Sequence, residues 1–398
     1  MKFRIFPCLA LLLFAILPAF LHPACAAVPY STSGTCGGFP KTGLQSVSGT
    51  CVGLVADSLG VPRGVAVVGS KIYVVDAGTG HNHGRLLMLG HSGHDKPVVL
   101  LSGLASPTAL GFGPGGRLYI VLMGEIGQLN LAANPPTITP VVIGLPGKGQ
   151  PLTSFVFAPN GTLYVNIGSN TANCETKGNV PPDPEAPCPL LLTHPPHASI
   201  LKITLTQGAA INAATAPVLA TGMRNSEGLA VLPTGQLAAA VNYRDAIGKT
   251  NEDEPHDTLD VVQQGADYGW PYCYDNGTPN PAYPSFNCAT KHAPTFLLPA
   301  HGSPLSLWLY KGSAIPALSH TLLIPFHSNR KNGHSLMAMP LTSSGGLSGQ
   351  LKPVIDAWDL QPGVHPQGSP TNLTEMPDGS VLITEDHNGT LLRLAKAQ

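Results

Sequence analysis

The feature of the sequence that most restricts its fold is a hairpin phrase that occurs six times. Most copies contain an apolar stretch, a turn rich in Gly, Pro, Asn or Asp, and a second β-rich stretch. The third copy, for example, turns at Pro159, Asn160 and Gly161 between two such stretches. Asn-Gly and Asp-Gly turns are typical of β-hairpins because they accept positive φ angles. The copies begin near residues 62, 107, 151, 226, 304 and 370.

The spacing of the copies indicates how the hairpins are arranged. The first two intervals, 62 to 107 and 107 to 151, are 45 and 44 residues long, which is the length of one four-stranded propeller blade. The later intervals are longer and leave room for insertions. A two-sheet sandwich is the alternative, but sandwiches do not repeat a hairpin at this period. The sequence therefore predicts an all-β, six-bladed β-propeller.

Composition agrees with this fold and restricts the partners. The 398 residues include 45 Gly and 40 Pro, and only 11% are charged. Few residues are therefore available for the wet faces of long amphipathic helices, whereas turns are plentiful. The formal net charge of −1 argues against a nucleic-acid partner, because phosphate binding requires a basic surface.

The first residues have the pattern of a secretory leader. Lys2 and Arg4 precede an apolar run over residues 9–20, and small residues follow at 24–27. This pattern predicts a signal peptide over residues 1–27, one propeller domain over residues 28–398, and a periplasmic or secreted location. The alternatives are a lipid attachment at Cys25 and a membrane anchor, although the run is shorter than the ~20 residues of a span. No later segment is apolar enough to cross a membrane.

Six cysteines follow the predicted leader and form three close pairs along the chain. They are Cys36 and Cys51, Cys174 and Cys188, and Cys273 and Cys288. An even number of cysteines in an exported chain indicates disulfides, and we predict that each pair closes a local loop. Six cysteines allow 15 pairings, so spacing alone leaves the connectivity open. A metal site is the weaker alternative, because the sequence has no Cys-x-x-Cys motif.

The densest group of polar residues lies around the fourth repeat. Arg224 and Asn225 precede its first strand, and Arg244 and Asp245 follow its second. A propeller places such strand ends at one opening of its central channel, so we expect these four residues near one another. Arginines there suit carboxylate ligands, and Asp245 with neighbouring carbonyls suits Ca²⁺. The alternative is salt bridging between blades, with Trp270 as a packing residue.

These residues carry a resemblance to a known family. Arg-Asn at 224–225, Val-Asn-Tyr-Arg-Asp at 241–245 and Tyr-Gly-Trp-Pro at 268–271 resemble, in order and spacing, motifs of the glucose/sorbosone dehydrogenases. The resemblance extends over roughly residues 50–395. It implies a six-bladed propeller that holds pyrroloquinoline quinone (PQQ) over its channel, partly through Ca²⁺. It also implies oxidation of a small sugar or aldehyde, with a further electron acceptor as partner.

The resemblance also implies roles for individual residues. Arg224 is expected to act in catalysis and, with Asn225, Arg244 and Arg330, to bind the cofactor. Asp245 is expected to lie at the metal. The family base is a histidine in a Gly-His-x-x-Arg phrase, and Gln150 occupies that position here. Glutamine has no group that titrates near neutral pH, so it cannot act as a general base.

Two further departures concern charge. Thr153 stands where the family has the arginine of that phrase, and Ser369 stands where it has the arginine of a Gly-Arg-Pro motif. The loss of these residues favours a second hypothesis, in which the propeller keeps its scaffold and binds a carbohydrate, peptide or protein without redox chemistry. A lactone hydrolase that uses Ca²⁺ is a weaker third hypothesis.

Another histidine is a candidate substitute for the missing base, because imidazole titrates near neutral pH. The candidates are His81, His83, His194, His197, His301 and His327. The pair His81 and His83 is also a weak candidate for metal binding, but the sequence around it is typical of a turn and offers no evident third ligand.

Overall fold

The computed structural model describes residues 30–90, 96–147, 153–175, 183–206, 208–243, 252–328, 330–356, 358 and 368–397. The predicted leader over residues 1–27 lies outside these ranges. So do three predicted site residues, Gln150, Arg244 and Asp245. Among the described residues, no helix is long and apolar enough to span a bilayer.

The fold is the predicted all-β propeller with six blades, each an antiparallel sheet whose first strand lies innermost. Blade 1 contains Pro62–Val68, Lys71–Asp76, Gly84–Gly90 and Val98–Leu104. Blade 2 contains Ala109–Phe112, Leu118–Leu122, Glu125–Asn130 and Thr137–Ile143. Blade 3 contains Phe155–Phe157, Thr162–Ile167, Ser199–Thr204 and Val218–Thr221.

The other three blades contain the longer insertions. Blade 4 contains Asn225–Val231, Leu237–Asn242, His256–Val261 and Phe296–Ala300. Blade 5 contains Trp308–Leu309, Thr321–Phe326, Ser335–Pro340 and Lys352–Asp356. Blade 6 contains Pro370–Glu375, Val381–Glu385, Thr390–Lys396 and, as its outermost strand, Thr50–Ala56.

The described residues also form short strands and 3₁₀-helices in addition to the blade strands. The remaining strands are Thr32–Cys36, Phe39–Thr42, Gln45–Ser46, Ile211–Asn212, Cys273–Tyr274 and Thr278–Pro279. The 3₁₀-helices are Pro114–Gly116, Pro189–Leu192, Ala213–Thr215, Cys288–Thr290 and Pro316–Leu318.

The two ends of the chain close the ring together. Thr50–Ala56 pairs antiparallel with Thr390–Lys396, so the last blade takes its outermost strand from the beginning of the fold. The hydroxyl of Tyr30 donates a hydrogen bond to Glu385 at 2.6 Å and accepts one from the Trp358 indole at 2.8 Å. These contacts fasten the segment before the closing strand to blade 6.

Apolar side chains fill the spaces between neighbouring blades. Between blades 5 and 6, for example, Leu323 and Leu336 pack in one cluster with Ile383 and Leu392, and all four are fully buried. A strand in the middle of such a stack is covered on both faces, so Thr321–Phe326 is buried at every position. This packing holds the innermost strands in a fixed ring around the channel.

The directions of the strands show which connections lie at the same end of the channel. First and third strands of each blade start at this end, and second and fourth strands finish there. We call this end the mouth. The described parts of three connections therefore lie at the mouth: residues 168–175 and 183–198, residues 243 and 252–255, and residues 327–328 and 330–334. Residues 263–270 also return towards it, running beside Val218–Thr221 of blade 3.

The three predicted disulfides are confirmed. Cys36–Cys51, Cys174–Cys188 and Cys273–Cys288 have Cα–Cα distances of 5.8, 5.9 and 5.9 Å. Two of them lie in the insertions of blades 3 and 4, which also contact each other through the hydrogen bond from the Cys188 amide to the Tyr272 hydroxyl at 2.8 Å. The third joins the closing strand to the hairpin that precedes it.

Removal of one disulfide should destabilise the protein measurably. For the double variant Cys273→Ser/Cys288→Ser we expect a loss of roughly 3 kcal/mol in unfolding free energy, because a loop of ~15 residues gains that much freedom when unfolded. Urea unfolding at constant m-value measures the loss. The matched variant Cys36→Ser/Cys51→Ser opens a loop of the same sequence separation, 15 residues. Its loss should be similar, and unchanged midpoints in both would contradict the entropic argument.

Candidate functional site

Arg224 and Asn225 lie at the mouth, where the innermost strand of blade 4 begins. Both are only 8% exposed. The Arg224 Nε donates to the Thr171 carbonyl at 3.0 Å, and its Nη1 donates to the Tyr243 carbonyl. The Asn225 Oδ1 accepts a hydrogen bond from the Ser169 amide at 2.8 Å. The pair therefore connects the long insertion of blade 3 to the start of blade 4.

Two buried carboxyl groups, those of Asp257 and Asp260, lie on the third strand of the same blade. Asp257 is 1% exposed and accepts hydrogen bonds from the Tyr243 and Ser303 amides at 2.9 and 2.7 Å. Burial raises the pKa of Asp257 to about 7, although these amides and the charge of Arg224 oppose the change. Burial likewise raises the pKa of Asp260 to about 7, against a hydrogen bond from Thr258. The third strand of blade 4 thus carries two buried carboxyl groups that are partly protonated near neutral pH.

Glu227 is the site residue that the sequence analysis missed. It lies in the first strand of blade 4 and is 6% exposed. Its carboxyl has no hydrogen-bond partner among the described residues. Burial raises the pKa of Glu227 to about 8, although the charges of Arg63 and Arg224 lower it. One signal was present in the sequence: a glutamate within a strand that otherwise reads as an innermost, buried strand.

The channel below Glu227 is an apolar cavity. It has a volume of about 360 Å³ and is bounded by the first strands of all six blades. A smaller cavity above it, towards the mouth, is lined by polar residues that include Arg63, Thr108 and Thr153. Glu227 contributes to both walls. Glu227 therefore lies where the polar cavity meets the largely apolar channel, so a ligand at the mouth would approach its carboxyl group.

A second polar cluster lies at the mouth between blades 5, 6 and 1. Arg63 Nη2 is 2.8 Å from Asp386 Oδ2, and His327 Nε2 donates to Asp386 Oδ1 at 2.9 Å. The rings of His327 and His387 meet edge to face, with centroids 5.1 Å apart. Burial opposes ionisation of Asp386, but hydrogen bonding to His327 and the charge of Arg63 lower its pKa to about 2. The carboxylate is therefore charged throughout the ordinary pH range.

The remaining predicted residues have mixed surroundings. Arg330 lies at the mouth, with its Nη1 3.8 Å from Glu252. Thr153 and Ser369, the two positions where the family arginines are missing, are 6% and 0% exposed. Trp270 is 2% exposed and donates its indole N–H to the Ala172 carbonyl at 2.9 Å. Gln150, Arg244 and Asp245 are outside the described residues, so their positions relative to Arg224 stay predictions.

Part of the candidate site lies in a segment that matches a known protein family. Residues 146–326 match the sequence profile of the family described as Glucose / Sorbosone dehydrogenase. This segment includes the insertions of blades 3 and 4 and both Arg224 and Asn225. A curated relative, an uncharacterized protein of Borreliella burgdorferi, is 26% identical over 250 residues. That match covers 60% of this chain and 58% of the relative.

Solved structures with the same fold cover most of the chain. The holo form of the pyranose dehydrogenase PQQ domain from Coprinopsis cinerea is 18% identical, with a TM-score of 0.72 over 90% of this chain and 99% of that one. The calcium structure of a Trichoderma reesei carbohydrate-active enzyme of family AA12 is 18% identical, with a TM-score of 0.72 over 89% and 97%.

A third structure, the PQQ-bound aldose sugar dehydrogenase from Streptomyces coelicolor, is 16% identical. Its TM-score is 0.57 over 88% of this chain and 99% of that chain. At these identities the structures establish the propeller fold alone. The match over residues 146–326 confirms the predicted resemblance of this chain to the glucose/sorbosone dehydrogenase family.

Proposed function

We propose that this chain is an exported oxidoreductase of the glucose/sorbosone dehydrogenase type, which oxidises a small sugar or aldehyde at the channel mouth. The observation that carries the proposal is the buried Arg224–Asn225 pair, which lies at the mouth and within the segment that matches the family. Export is supported by the three disulfides, because such bonds persist in oxidising compartments. The electron acceptor that would regenerate the enzyme is a further partner of the proposal.

The described side chains at the mouth fit an anionic cofactor such as PQQ. Arg63, Arg224 and Arg330 supply guanidinium groups, which bind carboxylates through planar pairs of hydrogen bonds. Glu227 carries little negative charge near neutral pH, because its pKa is about 8. His301 Nε2 is buried at the mouth without a hydrogen-bond partner among the described residues, as expected for an atom that a bound polar group would satisfy.

PQQ would supply a two-electron acceptor for the hydride that leaves the substrate, and Ca²⁺ at Asp245 would help to hold it. The protein's own residues would bind and orient the cofactor and the substrate. Arg224 is held by the Thr171 and Tyr243 carbonyls, so its guanidinium has a fixed position at the mouth. Ser169 of the blade 3 insertion is tied to Asn225, so this part of the insertion is held beside the pair.

The missing base determines the expected rate. With Gln150 in the family base position, we expect weak dye-linked oxidation of sugars at neutral pH, because a general base typically contributes about 10²–10⁴-fold. Replacement of Gln150 with histidine should raise turnover with PQQ and Ca²⁺ present. The measurement is dye reduction over a panel of sugars and aldehydes, with PQQ affinity determined first by titration of both proteins.

The matched control is Gln150→Asn, which keeps an amide and should leave turnover at the parental level. Strong PQQ-dependent turnover by the parent would show that the base lies elsewhere. PQQ binding without a gain in Gln150→His would mean that position 150 is not the base position. Absence of PQQ binding in every variant would contradict the redox proposal itself.

A second candidate function is ligand binding without redox chemistry. It is favoured by Thr153 and Ser369, which are buried and uncharged where the family has arginines, so less positive charge faces the mouth. Thr153 is also engaged locally, since its carbonyl accepts a hydrogen bond from Thr108 at 2.8 Å. In this case the mouth would bind a carbohydrate or protein partner, and saturable binding of a sugar without PQQ would support it.

A further inference from the structure

Two histidines and one aspartate come together at the mouth from adjacent blades. His327 follows the second strand of blade 5, and Asp386 and His387 follow the second strand of blade 6. One potential ligand atom from each lies within 4.8 Å of the other two. Across the described parts of the chain, this is the group of three His, Cys, Asp or Glu side chains that meets that distance.

The separation of two of these atoms suits a shared metal ion. His327 Nε2 lies 2.9 Å from Asp386 Oδ1. Zinc binds histidine nitrogen and carboxylate oxygen at about 2.0–2.2 Å, so two such ligands at the tetrahedral angle are about 3.4 Å apart. The hydrogen bond between His327 Nε2 and Asp386 Oδ1 holds these atoms slightly closer than that. An ion would replace the proton of this hydrogen bond, and the two atoms would need to separate by only about half an ångström to accept it.

Neighbouring residues orient the three side chains. Arg63 Nη2 contacts Asp386 Oδ2 at 2.8 Å, and His327 Nε2 lies 2.9 Å from Oδ1 and 3.1 Å from Oδ2 of the same carboxylate. Ser369 Oγ is 2.9 Å from His387 Nδ1. Such outer contacts fix ligand rings and carboxylates in metal sites. The positive charge of Arg63 also weakens attraction for a cation, so we expect a site that exchanges its metal readily.

We propose that His327, Asp386 and His387 bind a divalent transition metal of the zinc type between blades 5 and 6. Two imidazole nitrogens with one carboxylate oxygen suit Zn²⁺, Co²⁺, Ni²⁺ or Cu²⁺, whereas Ca²⁺ takes oxygen ligands. The site is thus distinct from the Ca²⁺ position expected at Asp245. Three protein ligands leave a coordination position for water or for an oxygen of a bound molecule. Because His387 is exposed, that position is reachable from solvent.

The test is metal binding by the full mature chain after dialysis against a chelator. We expect calorimetry to show saturable uptake of one equivalent of Zn²⁺. Addition of Co²⁺ should produce visible absorption bands. The exposed His387 is replaced by alanine and, separately, by glutamine. Each variant should bind Zn²⁺ about 100-fold or more weakly, because loss of outer contacts alone costs about 10–100-fold. The variant His320→Asn removes an exposed histidine at the other end of the channel, directly before the second strand of blade 5, and should bind as the parent does.

Thermal unfolding in the presence of Zn²⁺ distinguishes a metal site from a cluster that only stabilises the fold. Zn²⁺ should raise the midpoint of the parent and of His320→Asn, but not of the His387 variants, because only a ligand of the folded state stabilises it. Excess Ca²⁺ should not displace Co²⁺. The proposal is overturned if the parent takes up neither Zn²⁺ nor Co²⁺, or if the His387 variants bind Zn²⁺ as tightly as the parent. Neither result depends on PQQ or on turnover, so the oxidoreductase proposal is tested separately.

Discussion

Glu227→Gln should become more stable than the parent as the pH rises, by about 3–5 kcal/mol in unfolding free energy above pH 8. In the folded state the Glu227 carboxyl keeps its proton up to about pH 8, whereas its ordinary pKa of 4.5 applies after unfolding. Between these values the folded protein binds the additional proton, so its stability falls by up to about 1.4 kcal/mol for each pH unit. Glutamine has the same shape and no proton to lose.

The measurement is the urea midpoint of parent and variant from pH 4 to 9. The two proteins should be nearly equal below pH 4.5, where the glutamate is protonated in both states, and should diverge from there to pH 8. Glu185→Gln changes an exposed glutamate and should run parallel to the parent. Parallel curves for Glu227→Gln would mean that the carboxyl is ionised in the fold, stabilised by Arg63 and Arg224.

Arg224→Ala should lose about 3 kcal/mol or more of unfolding free energy. The change leaves the Thr171 and Tyr243 carbonyls without their charged donor, and an unsatisfied buried group costs about 1–3 kcal/mol. Arg224→Lys should recover part of the loss, because an ammonium keeps the charge but cannot reproduce the planar fork. Urea unfolding at constant m-value measures both variants.

The control for this series is Arg117→Ala, since Arg117 is exposed on the hairpin of blade 2, away from the mouth. Its effect should stay within about 0.5 kcal/mol. Loss of PQQ binding in Arg224→Lys with little change of stability would assign the guanidinium to the ligand. A stability of Arg224→Ala equal to that of Arg117→Ala would contradict the role of Arg224 in joining blades 3 and 4.

The hairpin period predicted the propeller because each blade repeats one local pattern. The prediction was weakest where the first strand is short. Blade 5 starts its first strand at Trp308, although the repeat begins near residue 304, because Pro304 pairs with Phe326 only through an isolated bridge and the ladder between them is interrupted. The three disulfides were predictable because each joins two cysteines that are only 14 or 15 residues apart in the sequence.

The site was only partly predictable because closure of the ring brings distant residues together. Arg224 and Asn225 were found through a motif. The contact between Arg63 and Asp386 joins opposite ends of the sequence, and no periodicity indicates it. Glu227 was missed because the effect that sets its pKa is burial in the channel, which depends on all six first strands.

The pairing of Thr50–Ala56 with Thr390–Lys396 has a consequence for biosynthesis. Thr50–Ala56 leaves the ribosome long before its partner strand, so blade 6 cannot be completed until Thr390–Lys396 has also been made. Until then, the growing arc exposes the apolar flank of blade 1 that blade 6 will cover. A chain of this design therefore depends on being kept unfolded, or shielded by chaperones, until both strands are present in the same compartment.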